Sequence, residues 1–162
     1  MTSKQTKKFL RIFHLAKKHY RKSTKRLAGE SWPHDWQTLI ATIYSAQSRD
    51  ETTIHVMESA FSKLRTLEKW AKAPVSKIEK LTKKINFYKT KSKNSKATAQ
   101  LLLSQFKGKV PDTIESLITL PGVGRKTANL IITEIHNKQG ICVDTHVHRL
   151  SNVLGLVKTK TP

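Results

Sequence analysis

Cysteine is almost absent from this chain: Cys142 is the only one in 162 residues. That excludes an internal disulfide framework, and any zinc or iron–sulfur site held by cysteines of these residues alone. A lone thiol also fits a reducing, intracellular setting, the cytoplasm or nucleoid if the source is prokaryotic. Long apolar runs are missing too. None approaches the roughly 20 residues that span a bilayer. The basic N-terminus lacks the continuous apolar stretch of a signal peptide. Acidic residues are scarce: 11 Asp and Glu stand against 31 Lys and Arg, a formal charge of +20. Such a balance implies a polyanionic partner. Nothing looks like a lipid anchor, so nucleic acid is expected ahead of a membrane surface.

What the chain does have is helical periodicity. Residues 6–18 space Phe9, Leu10, Phe13 and Ala16 along one basic helix, and from Lys4 to Arg26 there are ten basic residues and no acid. That stretch reads either as a solvated face or as a direct contact to DNA phosphates. After a break at residues 29–33, Asp35 is expected to cap a helix over 36–46 with Leu39, Ile40, Ile43 and Tyr44 on one face. Further helices are expected over 51–64, 67–71, from Val75 after Pro74, and over 95–106 with Gly108 past its end. Residues 83–91 read as a loop with Ile85, Phe87 and Tyr88 exposed among lysines. The last helices are expected over 111–120, 125–136 and 145–154. No strand, repeat or low-complexity tail is evident. The seven histidines offer no defensible metal site, since His146 and His148 are two apart and face different ways.

One segment carries more than any other: Leu120-Pro121-Gly122-Val123-Gly124-Arg125-Lys126-Thr127. A Pro-Gly-x-Gly turn here runs into a helix with a lysine in its first turn. Glycines let backbone N–H groups approach a ligand closely. A helix N-terminus adds partial positive charge and free donors, which suit a phosphate. Eighteen residues past Lys126 comes Val143-Asp144-Thr145-His146. A hairpin with this lysine, followed at this distance by Val-Asp-Thr-His, resembles the endonuclease III branch of the helix-hairpin-helix DNA glycosylases. Leu39 to Asp50, ending Ser45-Ala46-Gln47-Ser48-Arg49-Asp50, is similar to that family's Ser-Ala-Gln-x-x-Asp helix end. Ile85-Asn86-Phe87-Tyr88-Lys89-Thr90-Lys91 is similar to its Ile-Gly-Leu-Tyr-x-x-Lys loop.

The resemblance implies an all-α glycosylase fold. Residues 27–138 would form a six-helix barrel domain containing the hairpin at 111–136. Residues 1–26 and 139–162 would form part of a second helical domain. It also implies base-excision repair of oxidised pyrimidines in double-stranded DNA, with abasic-site lyase activity. A flipped nucleotide would be attacked at C1′ by the Lys126 amine, giving a Schiff base that permits β-elimination. Asp144 would activate the lysine or stabilise the positive sugar. As an ordinary N-cap it would be held rigidly, which is compatible with that role. Lys126 could instead be one more phosphate contact. Gln47 would fill the gap left by the flipped nucleotide, and Ile85 and Phe87 would wedge against the other strand. Against that, Gln47 could be a plain helix-end residue and Phe87 ordinary core. Gly122, Gly124, Arg125, Thr127 and His146 would also meet DNA. The family's hairpin tends to hold a monovalent cation through backbone carbonyls, here those of Ile118, Leu120 and Val123. Two other readings remain: a non-catalytic DNA-binding hairpin module, and a mismatch or oxidised-purine glycosylase on the same scaffold. Adenine-mismatch enzymes usually lack a lysine at the position of Lys126.

Two departures stand out. Asn86 and Phe87 replace the family's common Gly and Leu, which changes the wedge. The four cysteines of the family's [4Fe–4S] cluster have no counterpart before Pro162, so no cofactor is expected within these residues. Either the natural protein is longer, and a monomer when complete, or the lineage is shortened. The apolar face of the first helix is then expected to be poorly covered, with lower stability or dimerisation of the isolated chain. A monomer with a cooperative, high melting transition would count against that. If roughly five basic side chains touch phosphates, log K against log salt should have a slope near −4 to −5.

Overall fold

The computed structural model describes residues 3–20 and 25–162, with side chains from residue 6 onward in the first stretch. Part of the expected basic tail, residues 21–24, lies outside the described residues. Regular structure among the described residues is entirely helical: α1 (Ser3–Tyr20), α2 (Asp35–Ser45), α3 (Asp50–Lys63), α4 (Leu67–Lys72), α5 (Val75–Thr82), α6 (Tyr88–Gln105), α7 (Ile114–Leu117), α8 (Arg125–Glu134) and α9 (Thr145–Val153). The chain divides into two compact units, one of Arg26–Cys142 and one of Met1–Lys25 with Val143–Pro162.

The larger unit is organised around α2. Every residue from Trp36 to Tyr44 is buried, so this helix is enclosed on all sides. Its N-cap is His34, which makes no side-chain cap bond. The expected cap, Asp35, is instead the first helical residue, where a carboxylate meets the positive end of the helix dipole. On α3, Thr53, Val56, Met57, Ala60 and Phe61 are buried. Phe61 is the hub of an aromatic cluster, with Trp32, Trp36 and Trp70 rings centred 5.1, 5.2 and 5.4 Å away. Edge-to-face and tilted pairs at these spacings add to the burial of area. The side chain of Thr66 caps α4 by accepting the Lys69 N–H, and Pro74 stands at the N-cap of α5.

The helix expected over 95–106 begins much earlier, at Tyr88. Residues 88–94 carry no apolar periodicity because the face they bury is polar. Lys91, Ser92, Ser95 and Thr98 are all buried there. Each finds a partner, as buried polar groups must. The Tyr44 hydroxyl lies 3.0 Å from Ser92 Oγ and 3.3 Å from Ser95 Oγ. The indole Nε1–H of Trp70 donates to Ser95 Oγ at 3.3 Å, and Thr82 Oγ1 lies 3.1 Å from Ser92 Oγ. Four helices, α2, α4, α5 and α6, meet in this network. Burial holds the Tyr44 phenol above its usual pKa, so it stays a neutral donor. The loop ahead of α6 also differs from expectation: Ile85 is 2% exposed, whereas Phe87 is 65% exposed.

In the smaller unit, α1 stacks Phe9 on Phe13 with ring centres 6.0 Å apart. Leu10, Phe13 and Leu15 remain exposed. No residue of α9 is buried, and Val147, Leu150 and Val153 stay accessible.

The network gives a direct test. Ser95→Ala strands the Trp70 indole N–H and a Tyr44 hydroxyl contact in the interior, at a cost of about 2 kcal/mol. Ser104→Ala, on an exposed turn of the same helix, should stay within ~0.5 kcal/mol of the parent. Urea denaturation of both variants measures the difference.

Candidate functional site

The hairpin is shorter at its start than its sequence suggests. The first helix is only α7, because Thr113 accepts the Ser116 N–H and Ile118 already caps the other end. Two turn bonds then carry the chain round: Leu120 N–H to Leu117 O at 3.1 Å and Val123 N–H to Leu120 O at 3.1 Å. The ends of the hairpin are tied together. Lys138 Nζ donates to both the carbonyl and the carboxylate of Asp112, at 2.7 Å each. This ammonium holds the Asp112 carboxyl below its usual pKa. The Nε2–H of His136 donates to the Pro111 carbonyl at 2.9 Å.

Its two glycines serve different purposes. Gly122 has φ +82, and a Cβ there would lie 3.1 Å from Asn94 Nδ2 and 3.2 Å from Ile43 Cγ2. Gly122 is therefore required by the protein's own backbone and packing. Gly124 has ordinary φ and open space within 4 Å of where its Cβ would be. Nothing in the larger unit demands a glycine at 124, so the open space is available to a ligand. Arg125 and Lys126 open α8 with exposed side chains, and Thr127 is half-buried. The Lys126 carbonyl accepts the Cys142 thiol at 3.5 Å. From behind, α6 supports the turn: Thr98 Oγ1 donates to the Pro121 carbonyl at 2.9 Å.

A second element, built on the same helix, brings Gln47 and Phe87 together. Gln47 follows the end of α2 with φ +54, and Phe87 precedes α6 with φ +57. Left-handed backbone costs a non-glycine residue about 1 kcal/mol, so both positions need external support. Asn86 Nδ2 donates to the Gln47 carbonyl at 2.9 Å and ties the two loops. Lys91 Nζ donates to Tyr44 O at 2.9 Å, to Ala46 O, and to Ser48 Oγ at 3.1 Å. A cation thus occupies the C-terminal end of α2, where carbonyls lack helical partners. Burial pushes the Lys91 ammonium down from the usual 10.5 to about 8. A cavity of about 160 Å³ opens beside these loops, lined by Ser48, Arg49, Thr52, Lys84, Ile85 and Asn86.

Sequence reasoning placed Ile85 among the exposed contacts. The structure corrects this: its side chain is in the core and anchors the loop that exposes Phe87. Lys91 and Thr98 were missed as site-shaping residues, and Asn86 was expected to alter the wedge loop but not to tie it to Gln47. The only signal for Lys91 was its place at the end of the Ile85–Lys91 motif. Asp144 and His146 belong to the smaller unit. There Asp144 is the N-cap of α9, its Oδ1 accepting the Val147 N–H at 2.8 Å. His148 Nε2 lies 3.0 Å from Thr159 Oγ1. Among the described residues no three His, Cys, Asp or Glu side chains converge as a metal site would require.

Residues 40–162 match the HhH-GPD superfamily base excision DNA repair protein family. The chain is 41% identical over 127 residues to Endonuclease III of Thermotoga maritima, covering 78% of this chain and 60% of that protein. It is 38% identical over 143 residues to Endonuclease III of a Synechocystis species, covering 85% and 65%. The chain therefore spans roughly three fifths of the length of these relatives. A trapped Endonuclease III–DNA covalent intermediate superposes with a TM-score of 0.86 at 29% identity, over 100% of this chain and 74% of that one. A thermostable thymine-DNA glycosylase shares the fold at TM-score 0.81 and 21% identity, over 91% of this chain and 68% of that one.

Two stability measurements check the local geometry. Gly122→Ala should cost about 1–3 kcal/mol through its positive φ and its contacts with Asn94 and Ile43. Gly124→Ala should leave the urea midpoint within ~0.5 kcal/mol of the parent. The second measurement concerns Lys91. Its folded pKa lies below the unfolded one, so between pH 8 and 10.5 the unfolded chain binds the extra proton. Stability from this group is absent below that window and grows as pH rises through it. Urea midpoints at pH 7.5 and 10 should show the parent gaining on Lys91→Met as pH rises.

Proposed function

The chain belongs to the HhH-GPD superfamily of base excision DNA repair proteins, and from that membership we propose that it is a DNA glycosylase with abasic-site lyase activity. Its substrate on this reading is an oxidised pyrimidine in duplex DNA. The observation that carries the proposal is the hairpin. It presents Lys126 in the first turn of α8, beside Gly124 whose α-carbon faces open space. The likeness to a trapped Endonuclease III–DNA covalent intermediate supports a nucleophile on this scaffold.

In the proposed chemistry the phosphate backbone lies against the hairpin N–H groups and the start of α8. The damaged nucleotide leaves the stack. The neutral Lys126 amine attacks C1′, the C1′–N bond breaks, and the base departs with its electron pair and takes up a proton. Ring opening gives a Schiff base between Lys126 Nζ and C1′. Loss of a C2′ proton then expels the 3′ phosphate, and water releases the lysine. The Asp144 carboxylate assists departure of the base by stabilising positive charge on the sugar. Gln47 enters the vacated stack and Phe87 wedges the opposite strand.

The hairpin carbonyls of Ile118, Leu120 and Val123 are the donors a monovalent cation would use. Leu120 O, which already accepts the Val123 N–H, keeps one lone pair for it. Such an ion would add positive charge facing the phosphate. A [4Fe–4S] cluster does not fit these residues, because Cys142 is the only thiolate they can supply.

Borohydride reduction during reaction with a thymine-glycol duplex should give a covalent protein–DNA adduct. Lys126→Gln should abolish it while retaining DNA binding. Asp144→Asn should slow it by roughly 10²–10³. An adduct that persists in Lys126→Gln would refute the nucleophile. Duplex binding with no adduct from the parent chain would favour the non-catalytic reading. Gly124→Ala should weaken duplex binding by about 1 kcal/mol, roughly fivefold in Kd, with folding intact.

A further inference from the structure

Lys91 is a buried ammonium in a protein crowded with exposed ones, and the proposed chemistry makes no use of it. Its three acceptors all lie within five residues of chain, Tyr44 to Ser48, that carry α2 into the turn at Gln47. Asn86 grips the same turn at its centre, through the Gln47 carbonyl. Both flanks of the Gln47 turn are thus pinned to α6 through Lys91, and Gln47 itself to the loop exposing Phe87.

We infer that Lys91 and Asn86 are positioning residues that hold Gln47 and Phe87 as one preset wedge for entering the duplex. The inference rests on the DNA glycosylase reading above. Its physical basis is the left-handed backbone of Gln47 and Phe87. Such conformations persist only where surrounding contacts over-determine them. An ammonium has three divergent donors and meets three acceptors that a planar guanidinium fork would not match. The carbonyls of Tyr44 and Ala46, left open at the end of α2, are satisfied by the same group that fixes the turn. Holding the wedge in its entering shape before DNA arrives removes the ordering cost from binding. Asn86 is tied to this role by its side chain: the family's common glycine has no amide to offer Gln47.

The test separates wedge placement from chemistry. One substrate is a duplex with a tetrahydrofuran abasic analogue opposite 2-aminopurine, whose fluorescence rises when a wedge unstacks it. The other is a single-stranded abasic oligonucleotide trapped with borohydride, which needs no wedge. Lys91→Met and Asn86→Ala should each trap the single strand at the parent rate. Each should lose most of the 2-aminopurine signal and bind the duplex about tenfold more weakly. Asn86 is exposed, so its variant folds even if Lys91→Met does not. Parent-like fluorescence and duplex affinity in Asn86→Ala would overturn the inference, as would equal loss on both substrates in both variants. A parent protein that forms no borohydride adduct with the single-stranded abasic oligonucleotide would instead defeat the lyase reading on which the inference rests.

Discussion

The buried polar stripe of α6 is the constraint on which the rest of the larger unit depends. Lys91, Ser95 and Thr98 are buried at helical spacing along one face, with the half-buried Asn94 beside them. Lys91 holds the turn at Gln47. Asn94 packs where a Cβ at Gly122 would go. Ser95 accepts the Trp70 indole N–H and lies 3.3 Å from the Tyr44 hydroxyl. Thr98 holds the hairpin carbonyl at Pro121. Two surface elements with nothing in common in sequence are thereby set in register by one rigid helix. Polar groups are expensive to bury unless matched. That expense makes the arrangement specific, since a shifted register would leave several of them unpaired.

The same logic explains the strain at the surface. Gln47 and Phe87 sit in left-handed backbone, and the turns that carry them are held by Lys91, Asn86 and the buried Ile85. Gly122 meets the need for positive φ in the usual way, by having no side chain. Gly124 meets a different need, because the space beside it is open. A hairpin that spends one glycine on its own turn and leaves another facing outward is suited to holding a phosphate backbone.

Much of this was legible in the sequence, and what was not has a physical reason. The hairpin was legible because glycine, proline and capping residues act locally. Asp144 was legible as a cap for the same reason, and the structure shows it accepting the Val147 N–H. The start of α6 was not legible. Periodicity detects apolar faces, and the buried face at residues 88–95 is made of hydroxyls and an ammonium. Ile85 was misplaced because lysines surround it in sequence, although its own side chain turns inward. The short α7 was overextended because Ile114, Leu117 and Ile118 keep helical spacing past the point where the backbone turns. For the proposed catalytic pair, only the motif spacing and the family membership speak to function, since local physics makes Lys126 a first-turn lysine and Asp144 an N-cap.

The central claim is that one lysine among many is the nucleophile. Proteolysis and tandem mass spectrometry of the borohydride-reduced adduct test it directly. The account predicts the reduced sugar remnant on Lys126, in the peptide that opens α8. A remnant on another lysine, or spread over several, would contradict it.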